Sequence, residues 1–187
     1  VHGQINRLLE LSRLESGAAP VNRVALNLNE HMVDVMALMH AEAHNHGVEV
    51  HLRVVGTVML ESDVRMLDSI LYNLLGNALK FTEEGYVEIT LTRRGAGLAL
   101  RVKDTGAGIR TELQPHIFDA FVRDAQRAEP GIGLGLYITA RLVDLMDGAD
   151  RLSFTFRFQD GSTELDRHSR ENLADLARLL EAGQFRD

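Results

Sequence analysis

Residues Asn73 to Thr82 read NLLGNALKFT, a leucine-rich run that carries Asn73, Asn77 and Lys80 at spacings of four and then three. On a helix these three share one face, while Leu74, Leu75 and Leu79 pack elsewhere. Two amide oxygens and an ammonium on one stripe suit a cation and an anion together. An amide oxygen can complete the octahedral shell of Mg²⁺ whose other ligands are waters and phosphate oxygens, and a lysine neutralises the phosphates beside it. The rival reading is a solvated helix face, and the stripe alone does not choose between them.

Working outward, Asp63 caps a helix predicted over Val64 to Phe81. Upstream, VEVHLRV alternates strictly, with Val48, Val50, Leu52 and Val54 facing one way as in a half-buried strand. Before it a helix runs from about Asn29 to His46, with Met32, Met36, Met39 and Ala43 on one face and Gly47 as its stop. INRLLELSRLESG (Ile5 to Gly17) has the pattern of a helix tail that Gly17 and Pro20 terminate. Downstream, Glu84-Gly85 turns the chain into the strand YVEITLT, and Arg94 to Gly97 form a tight turn into LALRVK. A further helix through Met146 carries Leu134, Ile138, Leu142 and Leu145 as a core stripe. Leu152 to Phe158 alternates again, and a last helix is predicted from about Leu165 to Ala182. Helices separated by single strands, followed by antiparallel-looking strands, predict an α+β fold: a two-layer α/β sandwich with its helices on one face.

The 187 residues are 45% hydrophobic, enough for one good core with appendages. Twenty lysines and arginines against 27 aspartates and glutamates give a net charge of -7, and no basic run is interleaved with aromatics, which argues against nucleic acid. The absence of cysteine excludes disulfides, thiolate metal sites and cysteine nucleophiles. No apolar run reaches the length of a membrane span, so no membrane contact is expected of this segment.

Two glycine-rich segments follow the strands. In DTGAGI, Asp104 ends a strand and is followed by Gly106 and Gly108. A carboxylate there can accept from an exocyclic amine while the glycines let backbone approach a flat ring. A bare glycine turn is the alternative; a calcium loop would need acidic residues where Thr105, Ala107 and Ile109 stand. GIGLGL (Gly131 to Leu136) directly precedes a helix, so its amides and the helix N-terminus could cradle phosphates. RDAQRAEP before it is no strand, as a dinucleotide fingerprint requires, and Leu136 stands where a Walker loop needs Lys-Ser/Thr.

Together NLLGNALKFT, DTGAGI and GIGLGL, with Phe118 and Phe121 between the last two, resemble the boxes of the histidine-kinase ATP-binding domain. That domain belongs to the GHKL superfamily of type II topoisomerases, mismatch-repair ATPases and heat-shock chaperones. The resemblance covers roughly Asn27 to Phe158 and implies the Bergerat-type ATP-binding fold, here with a short N-terminal helix segment and an extra C-terminal helix. LLELSRLESG is similar to the end of the kinase's dimerisation hairpin. The implied organisation is residues 1–20 as hairpin end and linker, 21–160 as catalytic domain and 161–187 as a helical extension. The implied cofactors are ATP and Mg²⁺. Asn77 would bind the metal with Asn73 in support, Lys80 would meet phosphate, Asp104 would read the adenine amine and Phe81 would pack on the base. Gly106, Gly108 and Ile109 belong to the implied base pocket, and Gly131, Gly133, Leu134 and Gly135 to the phosphate loop. Arg123, just past Phe121 in the implied ATP lid, would reach the γ-phosphate, so that Asn77, Lys80 and Arg123 form the catalytic set. Hydrolytic members of the superfamily carry glutamate where Asn73 stands, and an amide cannot act as a base at neutral pH, so transfer to histidine is favoured over hydrolysis.

The pattern also breaks. None of the eight histidines has the context of the family's acceptor, so no autophosphorylation is expected. HAEAHNH (His40 to His46) sets two histidines one turn apart without an evident third ligand and reads as a solvated face. Ile132 replaces the usual threonine or serine, and Pro130 stands where glycine is common. After Leu145-Met146-Asp147-Gly148 about ten residues of a family hairpin, one strand and its turn, are expected to be missing. The implied partners are the dimerisation and phosphoacceptor helical domain and, indirectly, a response-regulator receiver domain. The chain itself is expected to be monomeric or weakly dimeric, and cytoplasmic whether or not its parent is membrane-anchored. The alternatives are a degenerate ATP-binding or protein-docking module, and a serine kinase of the anti-sigma-factor type.

Overall fold

The computed structural model describes residues 9, 11–14, 16, 20–94, 97–124, 131–146, 152–158 and 161–165. In chain order the elements are β1 (Val24–Asn27), α1 (Leu28–His46), β2 (Val48–Val54), β3 (Met59–Ser62), α2 (Val64–Phe81), β4 (Gly85–Arg94) and β5 (Gly97–Asp104). A 3₁₀ turn (Gln114–His116), α3 (Gly135–Met146), β6 (Leu152–Phe158) and β7 (Gly161–Leu165) follow.

Both long helices begin and end where their chemistry dictates. The Asp63 carboxylate accepts from the Arg65 and Met66 amides at 3.0 and 3.3 Å and caps α2. Its other oxygen accepts from the Asn22 amide at 2.8 Å, tying the preceding segment to the helix. α1 stops at Gly47, whose φ of 69° is the left-handed conformation glycine adopts without strain. A 2.8 Å contact between His31 Nε2 and Asp68 Oδ1 joins α1 to α2.

The main sheet runs β2-β4-β5-β6-β7, and a separate antiparallel pair joins β1 to β3. The sheet is mixed: β2 lies parallel to β4 and β5 parallel to β6, while β4–β5 and β6–β7 are antiparallel. This corrects the expected antiparallel run. Register aligns Val50 with Val87 and Val87 with Asp104, and the next rows hold Leu52, Ile89 and Val102, then Val54, Leu91 and Leu100. Val87, Ile89, Leu91, Leu100 and Val102 are buried in one core with Leu67, Ile70, Leu71 and Leu74 of α2 and Ile138, Leu142 and Val143 of α3. Asp104 continues the phase of Leu100 and Val102, so the strand's own period turns its carboxylate toward the helical layer. Leu11 and Leu14 of the N-terminal helical residues are buried in the same core.

Three further expectations are corrected. Leu145 is 39% exposed, and the core stripe of α3 continues instead through Val143 and Met146, because the i, i+4 row from Leu134 through Ile138 and Leu142 leads to Met146. The family hairpin is not missing its second strand: β7 pairs antiparallel with β6, from Phe158 opposite Gly161 to Phe154 opposite Leu165. The sheet therefore continues past residue 160, and residues 161–165 are strand where the sequence suggested the start of the extension. The rest of the helix expected to Ala182 lies outside the described residues, as do residues 95 and 96 of the Arg94–Gly97 turn and Pro130.

Candidate functional site

The Asn73, Asn77 and Lys80 stripe faces a cavity of about 600 Å³ bounded by α2, the loop after β5 and the glycine-rich loop before α3. Asn73, Asn77, Lys80 and Phe81 line it, while Leu75 and Leu79 are buried in the core as their spacing predicts; Leu74 is buried too but also lines the cavity, contrary to the expectation that it packs elsewhere. Asn73 is only 7% exposed and lies deepest of the three polar groups on this face. Thr82 ends the helix, its hydroxyl donating to the Ala78 carbonyl at 2.7 Å.

Asp104 also lines the cavity. Burial pushes its carboxyl above the usual range, opposed by the Gly106 amide, which donates to Oδ1 at 2.9 Å. The loop beyond it is sewn to the helix end, with the Ala107 amide donating to the Phe81 carbonyl at 3.3 Å. A Cβ at Gly106 would stand 2.3 Å from that carbonyl, so this glycine serves the docking of loop on helix and does not line the cavity. Gly108 and Ile109 do line it, and Gly108 has a φ of 67°.

From the other side come Gly131, Gly133 and Gly135. A Cβ built on Gly131 would come 3.9 Å from the Lys80 ammonium, so a side chain there would reach van der Waals contact with the end of the helix stripe. Leu134, counted to this loop by resemblance, is fully buried in the core and does not line the cavity. Phe121 does not line it either: it is 59% exposed, and its amide is bonded to the Gly133 carbonyl at 2.9 Å. Arg123 lines the cavity as expected. Several lining residues escaped the sequence reading, among them Tyr72, Gly76, Arg110, Val122 and Asp124. Tyr72 and Gly76 extend the Asn73 and Lys80 face at spacings of four and were readable from helical geometry; Arg110 and Asp124 carried no local signal.

The family model described as histidine kinase-, DNA gyrase B- and HSP90-like ATPase matches residues 62–171, a span that begins one residue before the α2 cap and takes in the cavity-lining residues other than Glu42 of α1. The chain belongs to this family. It is 34% identical over 169 residues to the signal transduction histidine-protein kinase BarA of Escherichia coli K12, covering 85% of this chain and 18% of that one. The crystal structure of full-length ShkA in complex with AMPPNP superposes with a TM-score of 0.68 at 33% identity, over 76% of this chain and 30% of that one. The catalytic domain of the histidine kinase ThkA matches with a TM-score of 0.63 at 25% identity, over 75% of this chain and 91% of that domain. The chain thus spans less than a fifth of the length of BarA, and its α+β sandwich is that of histidine kinase catalytic domains.

Elsewhere the histidine-rich end of α1 leads to a shallow groove where His40 and His44 face Glu49 and His51 of β2. Among the described residues no three histidine or carboxylate groups converge to hold a metal ion. Nor is any described helix long and apolar enough to cross a membrane.

Proposed function

We propose that the cavity binds Mg-ATP and that this domain transfers the γ-phosphoryl group to a histidine on a helical dimerisation domain, as the catalytic part of a sensor histidine kinase. The observation that carries this reading is the convergence of the Asn73/Asn77/Lys80 stripe, Asp104 and the Gly131–Gly135 loop on one cavity, with Lys80 set against Gly131. The donor set fits the cofactor. Side-chain amides suit a magnesium ion that keeps water and phosphate ligands, and the space beside Gly131 that a side chain would fill is left open next to an ammonium. When bound, Mg-ATP supplies the phosphoryl group, and the metal neutralises charge developing on the phosphate oxygens.

In this reading Asn77 ligates the metal and the deeper Asn73 holds it in place. Lys80 and Arg123 set positive charge against the phosphates, Asp104 accepts from the adenine amine, and Phe81 with Gly108 and Ile109 walls the base. Asn73 offers no base to activate water, whereas the neutral imidazole of an acceptor is already a nucleophile, so transfer is favoured over hydrolysis. The kinase relatives and the AMPPNP of ShkA support the assignment. A receiver domain would follow as the next acceptor, and reliance on ATP places the domain in the cytoplasm. With Leu11 and Leu14 turned into the domain's own core, the N-terminal segment has fewer leucines for pairing, which favours a monomer or weak dimer.

The test combines calorimetry with transfer. Wild-type protein should bind ATP more tightly with Mg²⁺ than with a chelator and label a separately prepared acceptor hairpin; Asn77→Ala should lose about tenfold in magnesium, the loss of one good ligand contact. Equal affinity of mutant and wild type in magnesium would remove Asn77 from the metal site. Binding without any transfer to the hairpin would favour the docking-module alternative.

A further inference from the structure

We infer that Arg110 is a positioning residue that holds Arg123 in the cavity by way of Asp124, an inference that rests on the reading of this cavity as a nucleotide site. Arg110 directly follows the first glycine-rich loop, and its carbonyl accepts from the amides of Leu113 and Gln114 at 2.9 and 3.2 Å, so its backbone is pinned in a turn. The Gln114 side chain ties down the residue before it, donating to the Ile109 carbonyl at 3.0 Å. From this fixed base the guanidinium reaches Asp124, with 3.5 Å between Nε and Oδ2. That Nε is sealed from solvent and makes no hydrogen bond among the described residues. A desolvated guanidinium nitrogen needs a counter-charge, and the Asp124 carboxylate supplies it.

The consequence falls on the two residues between two anchors. At one end the Phe121 amide is bonded to the Gly133 carbonyl at 2.9 Å. At the other, Asp124 is held by Arg110. Val122 and Arg123 are the two residues between them, and both line the cavity. A two-residue span held at both ends limits how far its backbone can carry Arg123 out of the cavity unless one anchor breaks. Arg110 and Asp124 therefore join the base-side loop to the segment bearing the cation proposed for the γ-phosphate. Contact between Arg110 and the nucleotide itself is the competing reading, and it predicts different behaviour on charge exchange.

Two measurements separate these outcomes. In the nucleotide-free chain, hydrogen exchange at the amides of residues 122–124 should quicken in Arg110→Ala and return toward wild type in the exchanged pair Arg110→Asp/Asp124→Arg, while the Gly106 amide keeps its rate. In binding, Arg110→Ala should weaken ATP about fivefold, the scale of one partly exposed ion pair, and leave ADP nearly unchanged, as Arg123→Ala should. The exchanged pair should recover ATP affinity that each single reversal loses. Unchanged exchange at 122–124 in Arg110→Ala, or equal loss of ATP and ADP without recovery in the exchanged pair, would overturn the inference. A wild-type chain that bound no nucleotide would instead count against the proposed function, and the exchange rates would still decide whether the anchor exists.

Discussion

The Phe121 amide donates to the Gly133 carbonyl across 2.9 Å, and this bond closes the neck of the segment that carries Arg123. Both partners have left-handed backbone, with φ of 67° at Phe121 and 74° at Gly133. For a bulky residue such as Phe121 that conformation is costly, so the neck persists because its surroundings impose it. Gly133 has no substitute here: a Cβ would lie 2.5 Å from the Val122 carbonyl oxygen. Gly133→Ala is expected to cost about 1–3 kcal/mol, the scale of local backbone strain, and to lower nucleotide affinity alongside. Denaturant unfolding paired with calorimetry checks this, and an unchanged midpoint with unchanged affinity would show that the neck is dispensable.

Asp104 gives a pH dependence with a definite sign. Burial raises its folded-state pKa above the ordinary 3.8, so its ionised form costs stability at neutral pH, and that cost disappears as pH falls through the raised value. The same protonation would remove the acceptor proposed for the adenine amine. Acidification above pH 3.8 should thus weaken ATP binding through Asp104 while relieving its contribution to instability. Asp104→Asn should weaken ATP by about tenfold, the scale of one hydrogen bond to a charged group, and GTP by much less, and should remove this part of the pH profile. Equal losses for both nucleotides would make the carboxylate structural.

Asp63 works in the opposite direction. Burial tends to raise its pKa, but the Asn22 amide, Arg65 and the Met66 amide outweigh it and hold the carboxyl below 3.8. The stability it contributes is therefore complete above the unfolded-state value and is lost as pH falls through the lower folded-state one. Asp63→Ala should cost about 1–2 kcal/mol through loss of the cap, and Asp63→Asn less, with a flatter stability profile below pH 3.8. Urea midpoints measured from pH 7 downward would show it; parallel profiles for wild type and Asp63→Asn would exclude Asp63 as a source of acid sensitivity.

Local chemistry determined much of this protein from sequence. Helical spacing placed Asn73, Asn77 and Lys80 on one face, Asp63 and Gly47 marked helix ends, and strict alternation marked β2, β4 and β5, because each signal is complete within a few turns or residues of chain. Strand direction and the short strands β1, β3 and β7 needed the tertiary structure. Four or five residues carry too little period of their own, and their pairing is decided by partners distant in sequence. The site divides the same way. A glycine in the sequence does not reveal what its missing side chain makes room for: at Gly131 it is the space beside Lys80, at Gly106 the carbonyl of Phe81, and at Gly133 the backbone of Val122. Nor could spacing bring Arg110 to Asp124, since the segment between them returns to the cavity only through the packing that buries Ile117 and joins Phe118 to the core. The residue types proposed for binding were written locally, but which of them face the cavity was settled by how distant backbones approach one another.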